Sequence, residues 1–185
     1  RMGQETEILK NDVKNWLAWH GRQLSFKSFM AEFARDWAFR ILVKYRISRL
    51  GGGGKVLKRL IPFTSKYNTF IVTKKIGRNL RMMHPFSSII NAESIGDNFI
   101  FYQNVTIGTN RDSNRPRIGN NVIVNAHSVI IGDITIGDNV WIGACSFVSK
   151  SVPSDTMVVG NPAKAVKRYN PSTKTWEKLT SHIPL

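Results

Sequence analysis

From residue 118 onward an aliphatic side chain returns every six positions: Ile118, Val124, Ile130, Ile136, Ile142 and Val148. Small or turn-forming residues often follow directly, as in Ile118-Gly119, Val124-Asn125, Ile136-Gly137 and Ile142-Gly143. A period of six matches neither the 3.6 of a helix nor the 8–12 residue spacing of a hairpin meander. It builds a solenoid of short parallel strands, one flat side per hexapeptide, with the aliphatic side chain inward and the small residue at the corner. Three hexapeptides close one triangular coil. Ile118 should then stack on Ile136, Val124 on Ile142 and Ile130 on Val148, with coils about 4.8 Å apart.

Upstream, the same step links Met83, Ile89, Ile95, Phe101 and Ile107. Eleven residues separate Ile107 from Ile118, one hexapeptide plus five, so the polar segment Thr109–Arg117 should project as a loop. The chain has 185 residues and one Cys, which excludes an intrachain disulfide framework. Its apolar runs are short and broken by Lys, Arg or Asp, so no membrane-spanning helix is expected. Arg1-Met2-Gly3-Gln4 lacks the apolar stretch of a signal peptide, and a cytoplasmic location is the expectation.

A net charge of +15 is unevenly spread. Residues 1–80 carry 17 Lys+Arg against 5 Asp+Glu, and residues 81–185 carry 10 against 7. The excess belongs to an N-terminal appendage. There, Leu9, Val13, Trp16, Leu17 and His20 fit a helix over 5–20, and Phe29, Phe33, Trp37, Ile41 and Tyr45 a second over 26–49. Gly51-Gly52-Gly53-Gly54 should be a flexible joint, and Lys55–Ile61 a short basic amphipathic piece. Two readings stay open: a cap whose aromatics pack on the solenoid, and a cap that also makes peripheral contact with the inner membrane. Nucleic acid is not an expected partner, because no nucleic-acid motif accompanies the charge.

The repeats, with the ending Gly160-Asn161-Pro162-Ala163-Lys164-Ala165-Val166, resemble the hexapeptide-repeat acyltransferases. His84–Asn91 and Tyr102–Gly108 look most like the serine acetyltransferase branch, which includes O-acetyltransferases of capsular and lipopolysaccharide sugars. The fold implied is mainly β: a left-handed parallel β-helix over 76–168, an α-helical region over 1–75 and a tail over 169–185. The resemblance also implies a homotrimer and acetyl-CoA as cosubstrate.

Acyl transfer to a hydroxyl needs a general base and donors for the oxyanion, and neutral imidazole suits the first task. By resemblance His84 is the catalytic base. His127 is the alternative, because its position resembles the catalytic His of the galactoside, maltose and xenobiotic acetyltransferases. The six-residue register would put the two on different corners. His20 and His182 fall outside the repeats and receive no role. In the loop, Arg111, Asn114 and Arg115 are the candidate acceptor contacts, and guanidinium groups there suit anions. Serine acetyltransferases carry Arg-His where this chain has Asn114-Arg115, and Asp where it has Met83. For coenzyme A, the candidates are Lys150, Lys164, Lys167 and Arg168 for phosphates and Gly143-Ala144 for the pantetheine arm. Cys145 reads as a small structural hydrophobe, and Asp97, Asp133 and Asp138 as turn formers. No metal is expected, since the γ-class carbonic anhydrases that share this solenoid use three His and only two lie in the repeats.

The resulting expectation is an acetyl-CoA-dependent O-acetyltransferase acting on a sugar hydroxyl of a surface polysaccharide or its lipid-linked precursor. The alternatives are a serine O-acetyltransferase of cysteine biosynthesis and, from another class, a non-catalytic solenoid scaffold.

Overall fold

The computed structural model describes residues 2–61, 67–109 and 114–184. Four helices come first: α1 (Met2–Trp19), α2 (Phe26–Arg35), α3 (Trp37–Ile47) and α4 (Gly52–Leu57). The strands then wind in coils. β1 (Phe70–Ile71) and β2 (Arg81–Met82) open the solenoid, followed by β3 (Ile89–Ile90), β4 (Ser94–Ile95) and β5 (Ile100–Phe101). The next coil is β6 (Thr106–Gly108), β7 (Arg117–Ile118) and β8 (Ile123–Val124), and the one after it β9 (Val129–Ile131), β10 (Thr135–Ile136) and β11 (Trp141–Ile142). β12 (Phe147–Val148) and β13 (Thr156–Val159) close the helix, and β14 (Lys164–Asn170) and β15 (Thr175–Pro184) follow.

These strands form three faces. The first is β1-β3-β6-β9-β12, the second β4-β7-β10, and the third β2-β5-β8-β11-β13, all parallel. Ile118 pairs with Ile136, Val124 with Ile142 and Ile130 with Val148, as the period requires. All six are buried, each contributing on the order of 1.5–3 kcal/mol by removal from water. The fold is the expected β-helix.

Upstream, the register differs from the expected one. Met82 and Ile90 point inward, whereas Ile89 is 44% exposed. The cause lies at the corner between the third and first faces. Phe101 to Thr106 takes five steps there, as do Val124 to Val129 and Ile142 to Phe147, but Met82 to Ile89 takes seven. Those two extra residues, with one step fewer from Ile89 to Ser94 than from Val129 to Thr135, move the inward positions to Met82 and Ile90.

Side chains stack at the corners too. Asn79, Asn98, Asn121 and Asn139 each donate Nδ2 to the residue one coil on, ending at Asp155, at 2.7–2.8 Å. All five have φ between 55 and 61°. Asn and Asp tolerate this left-handed conformation best after Gly. A second column caps backbone N–H groups. Asp97 accepts from Arg78 N, Asn120 from Asp97 N, Asp138 from Asn120 N and Ser154 from Asp138 N. Asp97 and Asp138 are thus turn formers, as expected, while Asp133 pairs with Arg117 at 3.1 Å.

In the helical region, Asp36 ends the expected long helix by capping the next: its Oδ1 accepts from Ala38 N and Phe39 N. The glycine run is a helix instead of a flexible joint. Gly54 is buried, and a Cβ there would lie 2.0 Å from the Ile47 carbonyl oxygen, so only glycine lets α4 sit against the end of α3. Trp16, Leu17, Phe39 and Leu42 are buried, and Arg46 ties α3 to α1 and to the first solenoid turn through Asp12 and the Ile76 and Gly77 carbonyls. Trp16 and Phe39 thus pack inward, while Phe26 is 82% and Trp19 43% exposed. No helix among the described residues is long and apolar enough to cross a membrane. The solenoid begins at Phe70, ahead of the expected boundary at 76. Residues 175–184 are a strand on the third face, antiparallel to β14.

Candidate active site

The two-residue insertion pushes His84 out of the coil. Its φ is +52° and that of Ser87 +49°, conformations that cost energy and are held by their surroundings. Pro85 is buried below and His84 exposed, while the Tyr67 and Phe86 rings meet edge to face at 4.4 Å. The helical region closes over this bulge. Trp16, Trp19 and His20 from the end of α1, Asp36 and Ala38 from the start of α3, and Tyr67 face Met82, Met83, His84 and Pro85 across a cavity of about 170 Å³. Larger hollows at Gln4–Lys14 with Arg78 and at Ile41–Ser48 with Phe70–Val72 contain no imidazole.

His20 is a functional candidate that sequence reasoning missed. It lies far from the repeats, and only the packing of α1 brings it to His84. Its Nδ1 sits 3.0 Å from the Trp16 carbonyl oxygen and 3.6 Å from Glu32 Oε1. Glu32 is 1% exposed at its side chain; its other oxygen pairs with Arg35 at 3.2 Å and Arg22 at 3.6 Å. Burial first, and then the Asp36 carboxylate, push the Tyr67 phenol above its ordinary value. His20, Glu32 and Asp36 each bring one potential ligand atom within 4.8 Å of one another. A hydrogen on Nδ1 facing Trp16, and arginines already on Glu32, make this a poor cage for a metal ion.

His127 does not occupy a different corner from His84. It turns between β8 and β9, the same corner two coils on, about 10 Å along the axis. The expected separation onto different corners does not hold, because both residues lie between a strand of the third face and the next strand of the first. His127, at φ +60°, belongs to a column of left-handed turn residues with Ser87, Asn104 and Cys145, and its Nε2 is 3.4 Å from Asn104 Nδ2. Cys145 is exposed in this column, so it is a turn residue and not the buried hydrophobe expected.

The loop lies elsewhere. It joins the first face to the second, so within one chain Asn114 and Arg115 occupy another corner from His84. Asn114 Nδ2 donates to Asp133 Oδ2 at 2.7 Å, and Arg111 lies outside the described residues. Lys164, Lys167 and Arg168 share β14, and Lys150 sits exposed after β12. Gly143 has a packing reason of its own: a Cβ would approach Val159 Cγ1 to 2.5 Å. Ala144 is exposed beside it.

His84 sits on a left-handed corner of the solenoid, and residues 115–150 match the Bacterial transferase hexapeptide (six repeats) family. Over 120 residues the chain is 42% identical to a serine acetyltransferase of Staphylococcus xylosus, covering 61% of this chain and 56% of that one. The crystal structure of Neisseria gonorrhoeae serine acetyltransferase superposes with a TM-score of 0.69 at 27% identity, covering 92% of this chain and 68% of that chain. A serine acetyltransferase from Brucella abortus, in complex with coenzyme A, shares the fold at a TM-score of 0.64 and 22% identity, over 90% of this chain and 69% of that chain. The chain spans about half the length of the curated relatives it matches.

These likenesses overturn the expected acceptor. A polysaccharide hydroxyl was inferred because Met83, Asn114 and Arg115 replace groups that would hold serine, yet the similar proteins are serine acetyltransferases. Of the three, only Met83 lines the cavity at His84, whose other wall is helical.

Proposed function

We propose that the chain is an acetyl-CoA-dependent serine O-acetyltransferase with His84 as general base. The cavity that joins His84 to the helical region carries this reading. Its volume falls below the roughly 300–1,000 Å³ of clefts for drug-sized ligands, which favours a small acceptor. His84 takes the proton from the serine hydroxyl as its oxygen attacks the thioester carbonyl. The tetrahedral oxyanion is held by backbone N–H groups, then collapses with cleavage of the C–S bond. The departing thiolate of coenzyme A recovers the proton from the imidazolium, and no acyl-enzyme forms.

Cationic side chains of β14, with Lys150, are the proposed partners of the coenzyme's phosphates. A homotrimer is the proposed assembly. The loop with Asn114 and Arg115 would then meet the His84 corner of a neighbouring copy, burying outward residues of the first face such as Phe70 and Ile89, 60% and 44% exposed in one chain. Thiol release from acetyl-CoA with L-serine tests the activity. Molar mass by light scattering tests the assembly, with a monomer counting against it.

A further inference from the structure

We infer that the outer side of the third face, where the C-terminal hairpin packs, binds a nucleoside phosphate, its base against Trp141, Tyr169 and Trp176 and its phosphate at Lys167 and Lys178. The register puts these residues side by side. Trp141 is opposite Ile123 and Met157, Met157 opposite Lys167, and Lys167 opposite Lys178. Tyr169 is opposite Trp176. Residues two apart on a strand share a side, so the two lysines project on the same side as these rings. Trp141, Tyr169 and Trp176 line a cavity of about 230 Å³ with Ile123, Asn121 and Asn139. The asparagines belong to the corner between the second and third faces, whereas His84 and His127 turn between the third and the first. The site is thus separate from the His84 cavity and does not depend on the serine reading.

The surroundings fit a flat anion. The Trp176 ring meets Trp141 at 6.3 Å and 81°, and Tyr169 at 5.4 Å and 57°. Rings so inclined touch by their edges, which leaves faces of these half-buried side chains for a base to stack on. Among the described residues no Lys or Arg lies over any of the three. Asn121 and Asn139 each spend one amide N–H on the ladder and keep a second, suited to the edge of a base. Asp155, which ends the ladder, is already held by Asn139 at 2.8 Å. The lysines supply the reason for an anion. Like charges directly opposite each other destabilise a sheet, and among the described residues neither Lys167 nor Lys178 forms an ion pair with a carboxylate. A phosphate between them relieves that repulsion and accepts charge-assisted hydrogen bonds. Lys167 and Tyr169 lie about 7 Å apart along β14, which matches the reach from a nucleobase to its phosphate.

The test is calorimetry on the full-length chain with adenosine 5′-monophosphate, adenosine and ribose 5-phosphate, and with coenzyme A as a separate ligand. The wild type should bind the monophosphate at least tenfold more tightly than adenosine or ribose 5-phosphate, since each of these lacks one end of the ligand. Lys178→Gln, a change at an exposed position, should weaken the monophosphate about tenfold and leave adenosine unaltered. Trp176→Leu should weaken the monophosphate and adenosine alike. Neither variant should alter the affinity for coenzyme A. No binding of the monophosphate, equal binding of ribose 5-phosphate, or unchanged affinity in both variants would overturn the inference. A parallel fall in coenzyme A affinity would assign the groove to the coenzyme and overturn a separate site. Failure of the wild type to bind coenzyme A, with the monophosphate still bound, would instead sink the transferase reading and leave the groove standing.

Discussion

Arg46 Nε lies 2.7 Å from Asp12 Oδ2, and both side chains are almost wholly removed from water, at 1% and 0% exposure. The guanidinium also reaches the Ile76 carbonyl at 2.8 Å, while Asp12 accepts from the Asn79 N–H. Beside it, the Tyr45 hydroxyl donates to the Thr73 carbonyl at 3.1 Å, and burial pushes that phenol up to about 12. The pair thus docks α1 and α3 onto the solenoid and holds the wall that carries His20 and Asp36.

Removing one partner should be severe. Asp12→Ala leaves Arg46 charged and buried, and should cost about 3–5 kcal/mol by chemical denaturation. Replacing both by apolar residues of similar volume, Asp12→Leu with Arg46→Met, should recover most of that loss. Equal stability of the single variant and the wild type would show that the helices are not docked through this pair.

The asparagine column makes a separable prediction. Asn121→Ala loses two amide contacts and places a Cβ residue at φ +56°, with the conformational part alone worth about 1–2 kcal/mol. Asn121→Gly loses the same contacts but accepts the φ. The glycine variant should therefore melt higher than the alanine variant. The reverse order would deny that conformation selects Asn at this corner.

Acid stability should depend on Asp97. Burial works to raise its pKa, but hydrogen bonds from the Arg78 side chain and backbone, with the Arg78 charge, outweigh this and hold it below its ordinary value. A depressed folded-state value means that the contribution is fully present above about pH 4, the unfolded range, and is lost as pH falls through the folded one. Arg78→Ala should flatten this part of the acid limb of a pH–stability curve. An unchanged limb would show that the pairing adds no proton linkage.

Much of this architecture could be read from residues 118–148, where every inward position was assigned correctly because the period runs without interruption. The failures share one cause, the absence of local signal. Nothing in the sequence announces two extra residues at His84-Pro85 or the missing one between Ile90 and Ile95, so the period points to Met83 and Ile89 where Met82 and Ile90 are buried. Gly54 reads as freedom in sequence, but it is a close contact with Ile47. The catalytic candidate His84 was legible through its resemblance to the serine acetyltransferase branch. His20 and Asp36 were not, since helix packing brings them there from 48 or more positions away. Met83, Asn114 and Arg115 misdirected the choice of acceptor because only Met83 lines the cavity at His84, and the facing residues come from the helices.

The central claim is tested most directly by serine-dependent thiol release from acetyl-CoA, measured for the wild type, His84→Ala and His127→Ala at matched folding. The account predicts turnover by the wild type, a loss of about 10²–10⁴-fold in kcat for His84→Ala, and near-normal turnover for His127→Ala, whose side chain lies two coils away. Absence of serine-dependent release in the wild type, or a His84→Ala variant as active as its parent, would contradict it.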